Sequence, residues 1–233
     1  MSESTFTHSA APASNEEPLS LPRLNEPAPA FNAKTTHGMR SLDDYEGRWL
    51  VLFSHPADFT PVCTTEFLAF ARHYEAFQNL NTDLLGLSID SYHAHVAWTQ
   101  AIKEKLGVEI PFPIIDDVSM NVSSAYGMVH PGANDTAAVR TTFIIDPDGV
   151  LRTMLYYPME AGRSVQEVLR TVKALQTADE HKVAAPEGWE PGSPVLLGSP
   201  QTLADAEGRL EVANAEGYDC KDWYLCFKEL DEA

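Results

Sequence analysis

An α/β fold, with a largely parallel sheet covered on both faces, is the class this sequence predicts. Three observations carry it. Short apolar runs of strand length alternate with amphipathic segments of helical period, first at Trp49–Phe53 followed by Phe67, Phe70, Ala71, Tyr74 and Phe77. The run from Thr141 to Tyr157 carries the turn Asp146-Pro-Asp-Gly149 between two apolar stretches, which predicts a β-hairpin. A final amphipathic segment bears Val165, Val168, Leu169, Val172 and Leu175 behind the N-cap residue Ser164.

Residues 1–23 are rich in Ser, Ala, Pro and Glu without apolar periodicity, which predicts a disordered leader. Order is expected from about Leu24, with a small hairpin over Thr35–Ser41 turning at Gly38. Trp49–Phe53 is apolar throughout, as a strand buried on two faces requires. The segment after it starts a helix legibly: Thr60 suits the N-cap, Pro61 the first helical position, and Cys63 falls in the first turn. Asp83–Asp90 predicts a strand, and the following helix carries Val96, Ile102 and Leu106 and closes at Gly107. Ile110–Asp116 predicts a strand constrained by Pro111 and Pro113, and Ser119 to about Tyr126 a short helix.

From about Ala178 the texture changes. Ala185–Pro194 is Pro- and Gly-rich, the composition of a linker or extended arm. Thr202–Glu216 has room for a short helix, and Gly217–Phe227 ends the chain with aromatics around Cys220 and Cys226. Trp223, Tyr224 and Phe227 predict that this segment packs against something. The organisation expected is a leader over 1–23, a main domain over 24–177 and a C-terminal arm or subdomain over 178–233.

The 233 residues include 34 acidic and 16 basic side chains, a formal charge of −18. Such a surface repels phosphate backbones and anionic membranes, so neither nucleic acid nor membrane is expected as a partner. No apolar run reaches the roughly 18–20 residues of a membrane span, and the N-terminus lacks the charged-then-apolar layout of a signal peptide; a cytoplasmic protein is expected. Three cysteines do not make an even disulfide framework.

The chemistry centres on Cys63. Unpaired N–H groups and the positive end of a helix dipole favour thiolate over thiol there. The dipole contributes about 0.3–1 kcal/mol, less than one pKa unit, so a cation is needed as well. Pro56, Thr60 and Cys63 form P-x-x-x-T-x-x-C across a strand-to-helix turn. This combination resembles the signature of the peroxiredoxins (the AhpC/TSA family), and the resemblance runs from about Leu24 to the C-terminus. It is closest to the 1-Cys-type, longer-tailed branch, whose pattern Arg152–Arg163 matches, in a microbial form with additional C-terminal cysteines.

The resemblance implies a thioredoxin-like fold with the family's insertions and an extended C-terminal arm. Unlike thioredoxin itself, this turn has Thr60 three before the cysteine and Glu66 three after it, so a local dithiol is absent. The activity implied is reduction of hydrogen peroxide and organic hydroperoxides through a sulfenic acid on Cys63, protecting the cell against oxidative stress, with no cofactor and no metal. Arg140 is implied as the arginine that pairs with the thiolate and orients peroxide, Thr60 as a hydroxyl partner of the same oxygens, and Pro56 as a shield of the sulfur from water. Arg163 is implied as a supporting arginine, with a structural ion pair as the alternative. His55 either touches the site or is a hydrogen-bonded structural histidine.

A homodimer, extended to a decameric ring, and a thioredoxin- or glutaredoxin-like reductant are the implied partners. Similar tail cysteines resolve the sulfenic acid of a neighbouring subunit, or else serve as buried thiols. If the tail is helical, six residues turn about 600° and only one sulfur faces Cys63. Cys220, in the more polar setting, is expected to resolve, and Cys226 to exchange with it. Other classes fit less well. C-x5-C is wider than structural-zinc spacing, no His and Asn or Asp marks a cysteine hydrolase, and Gly86-Leu-Ser-Ile-Asp90 fails G-x-S-x-G at its last position. The alternative in another class is a ring-forming holdase or a peroxide-sensing redox relay.

Overall fold

A computed structural model describes residues 21–133 and 137–230. Residues 1–20 of the expected leader lie outside the described residues. In chain order the elements are β1 (Asn32–Thr35), β2 (Gly38–Ser41), β3 (Trp49–Ser54), α1 (Pro61–Arg72), α2 (Tyr74–Asn79), β4 (Thr82–Ser88), α3 (Tyr92–Leu106), β5 (Ile114–Asp116), α4 (Asn121–Ala125), β6 (Arg140–Ile145), β7 (Leu151–Tyr157), α5 (Val165–His181), β8 (Val195–Leu196), α6 (Leu203–Ala215), β9 (Asp219–Asp222) and β10 (Leu225–Lys228). A seven-stranded sheet in the order β2-β1-β5-β4-β3-β6-β7 carries the main body. Its centre, β3, pairs parallel with β4 and antiparallel with β6.

Alternation along β3 divides the core. Trp49, Val51 and Phe53 point to one face, where they pack with Phe67 and Phe70 of α1, Trp98 and Ile102 of α3, and Val165, Val168 and Val172 of α5. Leu50 and Leu52 point to the other, with Leu85, Leu87, Ile115, Phe143 and Tyr126. All six residues of β3 are buried, as a central strand covered on both faces requires.

Several boundaries differ from the sequence reading for local reasons. The strand expected over Ile110–Asp116 forms only from Ile114, because Pro111 and Pro113 cannot donate to a ladder. The helix expected from Ser119 begins at Asn121. Met120 sits at φ 57°, and the Asp117 carboxylate accepts the free N–H groups of Val122 and Ser123. The helical period from Phe67 to Phe77 is real but broken at His73, whose ring Nδ1 lies 2.8 Å from the Ala69 carbonyl. The Thr35–Ser41 hairpin, the αL Gly107 after α3 and the Ser164 cap of α5 form as expected. α5 continues to His181, so the change of texture near Ala178 falls in its last turns.

Beyond α5 the chain is not a free arm. Trp189 is buried, its indole N–H donates to the Ser193 carbonyl, and Arg170 of α5 holds the Trp189 carbonyl at 2.9 Å. The tail closes as a three-stranded sheet, β8-β10-β9, over a small cluster of Ala213, Tyr218 and Cys226. Here the helical geometry considered for the two cysteines is corrected: β9 and β10 form a hairpin that sets Cys220 directly opposite Cys226, and the two sulfurs are bonded. Side chains opposite each other across antiparallel strands share a face, whereas six residues of helix would separate them. The expectation that the tail aromatics pack is met by Phe227, which is half-buried, but not by Trp223 and Tyr224, which are 45% and 59% exposed.

Candidate active site

The site is built where β3 ends and α1 begins. Cys63 is the third residue of α1 and is fully buried. Thr60 takes the N-cap position with extended backbone, but its hydroxyl does not cap the helix. It turns back and donates to the Ala57 carbonyl at 2.8 Å, so the reading of Thr60 as a side-chain cap is corrected. The first-turn N–H groups of α1 therefore have neither an intrahelical partner nor the Thr60 oxygen, and stay available to an anion. Pro56 is buried in the turn beside His55.

Two arginines from outside this turn reach the first turns of α1. Arg140 opens β6 and is 3% exposed. Its Nη1 donates to Cys63 Sγ at 3.3 Å and to Glu66 Oε2 at 2.8 Å, while Nε and Nη2 hold the Met159 carbonyl at 3.1 and 2.9 Å. Arg163, just before α5, donates from Nε to Glu66 Oε1 at 2.9 Å, from Nη2 to Glu66 Oε2 at 2.8 Å and from Nη1 to the Thr141 carbonyl at 2.5 Å. Its backbone N–H adds a further bond to Glu66, at 2.7 Å.

Glu66 is thus the knot of the site, and the sequence reading had used it only to mark a missing second cysteine. Burial would push its carboxyl up, but the Arg163 bonds and charge, then Arg140, outweigh burial and hold it below the ordinary carboxylate range. Two guanidinium charges against one carboxylate leave a net positive charge of one, and Arg140 turns part of it on the Cys63 sulfur. The arrangement has the charge of a thiolate as its natural complement. The signal for Glu66 was present, since i and i+3 share a helix face. None marked the Met159 carbonyl, which acts through its backbone.

His55 follows β3 and is fully buried. Its Nε2 lies 2.7 Å from Asp58 Oδ1, and Asp58 Oδ2 lies 2.7 Å from Nδ1 of His95 on α3. Its ring packs edge-on to Phe67, one helical turn beyond Cys63, at 4.7 Å. Asp58 and His95 were not singled out by the sequence. They come from separate segments that only the fold brings together.

The AhpC/TSA family profile matches residues 24–154, and that of the C-terminal domain of 1-Cys peroxiredoxin matches residues 174–211. The chain belongs to the peroxiredoxins. It is 53% identical over 225 residues to a peroxiredoxin of Aquifex aeolicus, covering 92% of this chain and 100% of that one. A peroxiredoxin of Methanosarcina mazei is 48% identical over 216 residues, covering 90% and 98%. Among solved structures, a yeast mitochondrial 1-Cys peroxiredoxin superposes with a TM-score of 0.78 at 37% identity, over 90% of this chain and 100% of that one. A cysteine-to-serine mutant of peroxiredoxin 6 of Arenicola marina gives 0.80 at 32%, over 91% and 99%.

The protein is therefore a thiol-dependent peroxidase, an oxidoreductase with the thioredoxin-like fold and a C-terminal extension. No helix among the described residues is long and apolar enough to cross a membrane.

Proposed function

We propose that Cys63 is the peroxidatic residue and that the protein reduces hydrogen peroxide and organic hydroperoxides, protecting the cell in which it works from oxidative damage. One observation carries the reading: a buried guanidinium, Arg140, donates to Cys63 Sγ at 3.3 Å inside a cluster with one excess positive charge. The Cys63 thiolate attacks the distal peroxide oxygen, the O–O bond breaks, and the leaving oxygen departs as water or alcohol after taking a proton. The product is a sulfenic acid on Cys63. Arg140 orients peroxide and stabilises the developing charge, together with the free N–H groups at the start of α1. Thr60 borders the same oxygens, Pro56 shields the sulfur, and Arg163 supports Arg140 through their shared carboxylate.

An arm thiol then attacks the sulfenic acid, releasing water and forming a mixed disulfide. The second arm thiol displaces Cys63 and closes the Cys220–Cys226 disulfide. Cys220, half-buried where Cys226 is 2% exposed, is the first attacker. Because Cys63 is fully buried, the first turns of α1 must open before a disulfide forms there. A cytoplasmic thioredoxin- or glutaredoxin-like protein reopens the tail disulfide. A homodimer, in a decameric ring, brings the arm of residues 178–233 to the neighbour's 24–177 domain, and the exposed Trp223 and Tyr224 support a contact of this kind.

The test is peroxide consumption with an added thiol. Wild type should consume peroxide and Cys63→Ser should not. Equal consumption by both would sink the reading and leave the holdase or relay. With the tail disulfide reduced beforehand, non-reducing gels after one equivalent of peroxide should trap a covalent dimer in Cys226→Ser and not in Cys220→Ser, while in wild type the dimer should give way to the tail disulfide. The opposite pattern exchanges the two roles.

A further inference from the structure

We propose that the Cys220–Cys226 disulfide is reduced selectively by cationic thiols, so that the protein that reopens it carries positive charge around its reactive cysteine. The partner's place in turnover rests on the peroxidase reading above; the charge preference of the disulfide does not.

The two sulfur centres lie in fields of opposite sign. At Cys63 the guanidinium groups of Arg140 and Arg163 outnumber the Glu66 carboxylate. Residues 195–230, which fold around the disulfide, hold seven acidic and three basic side chains, a net charge of −4. The cation next to Cys220 in the chain, Lys221, has its ammonium 2.6 Å from the Asp219 carboxylate, so that pair cancels. Asp222 ends the same strand in solvent. Its carboxylate accepts from the Trp223 N–H at 2.7 Å and, among the described residues, meets no cation within ion-pair distance. Glu216 and Glu229, both exposed and equally without an ion-pair partner among the described residues, line with Asp219 a cavity of about 400 Å³ at the open end of the β9–β10 hairpin. Against these three carboxylates the same cavity has one cation, Lys228, whose ammonium rests over the Tyr218 ring at 5.3 Å.

Reduction has to begin in this field. Cys220 is half-buried and Cys226 is 2% exposed, so an incoming thiolate meets Cys220. It bonds to the Cys220 sulfur, the S–S bond breaks, and Cys226 leaves as a thiolate that takes a proton from water. The Asp222 carbonyl, 3.6 Å from Cys226 Sγ, accepts the S–H so formed. The reductant's second thiolate then attacks its partner sulfur in the mixed disulfide and releases Cys220. Two electrons have passed, and the reductant holds the new disulfide.

The attacking thiolate arrives as an anion, and unpaired surface carboxylates repel it over roughly a Debye length. Positive charge beside the reactive sulfur offsets that repulsion and steers the encounter. Glutathione, whose two carboxylates outnumber its one ammonium, belongs to the disfavoured class.

The experiment measures reduction of the tail disulfide in the full-length protein by alkylation and mass spectrometry. The reductants are two Cys-x-x-Cys peptides that differ only in their flanks, lysines in one and glutamates in the other, with rates expressed per thiolate. The more acidic thiol of the lysine peptide is the weaker nucleophile, which works against the expected order. At an ionic strength of about 0.01 M, where the Debye length is roughly 30 Å, the lysine peptide should react roughly tenfold faster; at about 0.15 M, with a length of roughly 8 Å, the gap should fall below about threefold. Glu216→Gln/Asp222→Asn/Glu229→Gln, in which the asparagine still accepts from the Trp223 N–H, should narrow the gap at low salt in the same way. Should that variant fail to fold, the salt series on wild type decides. Equal rates, a faster glutamate peptide, or a gap indifferent to salt overturns the proposal, as does a full gap in the folded triple variant. A Cys63→Ser protein that consumes peroxide like wild type defeats the peroxidase reading instead, and the peptide rates still decide the charge preference.

Discussion

The two sulfur sites of this protein are built in opposite ways. Around Cys63, two guanidinium groups at most 7% exposed are tied by bonds to one buried carboxylate and two carbonyls, against aromatic rings of a large core. Around Cys220 and Cys226 the hydrophobic cluster has three buried members, and two large aromatics stand in solvent. The first region is over-determined and fixes geometry. The second is a small three-stranded sheet over three buried side chains, and a cluster of that size opens at lower cost than a large core. On the proposed reading, the chemistry that needs a stabilised charge falls to the first site and the chemistry that needs a thiol to travel falls to the second.

The strongest way to break this contrast is to remove the knot. Glu66→Leu leaves two buried guanidinium groups sharing no counter-charge, and should cost about 3–5 kcal/mol of unfolding free energy, read by chemical denaturation. A loss below about 1 kcal/mol would mean the cluster is solvated and not rigid. Next in size, Arg140→Ala removes the donor aimed at sulfur and should slow Cys63 oxidation by about 10²–10³, with Arg140→Lys recovering only part because a point charge cannot hold sulfur, Glu66 and Met159 together.

Acid probes the same knot. Glu66 titrates lower in the folded protein than in the unfolded chain, so the unfolded state binds the proton more readily. Its stabilisation is therefore present above the ordinary carboxylate value, about 4.3, and is lost as pH falls through the depressed one. Thermal unfolding followed against pH should show an acid limb that flattens in Glu66→Gln; identical limbs would take the charge out of the account. The smallest effect is expected in the tail. Opening a disulfide that closes so short a loop should cost about 2 kcal/mol, felt locally. Hydrogen exchange after reduction should quicken in β9 and β10 and leave β3 and β6 unchanged.

Sequence pattern carried the body of the fold because its signals are local: apolar runs, a Pro after an N-cap residue, a glycine closing α3. It carried Cys63, Arg140 and Arg163 through motif and resemblance. Glu66 was visible in spacing but has meaning only once Arg140 and Arg163 arrive from 74 and 97 residues away. Asp58 and His95 had no motif, since their pairing is made by α3 crossing over the turn. The tail was misjudged in geometry because Gly217–Phe227 has neither clean period, and a hairpin with a register shift between Leu225 and Cys226 leaves no alternation to read.

The central claim is that one sulfur, held in the rigid cluster, meets the peroxide first. With the tail disulfide reduced, the protein should be given one equivalent of hydrogen peroxide in the presence of a sulfenic-acid trap, and the adduct located by peptide mass spectrometry. The account predicts the adduct on Cys63, and its loss in Arg140→Ala over the same interval. An adduct first on Cys220 or Cys226, with Cys63 unmodified, would contradict it.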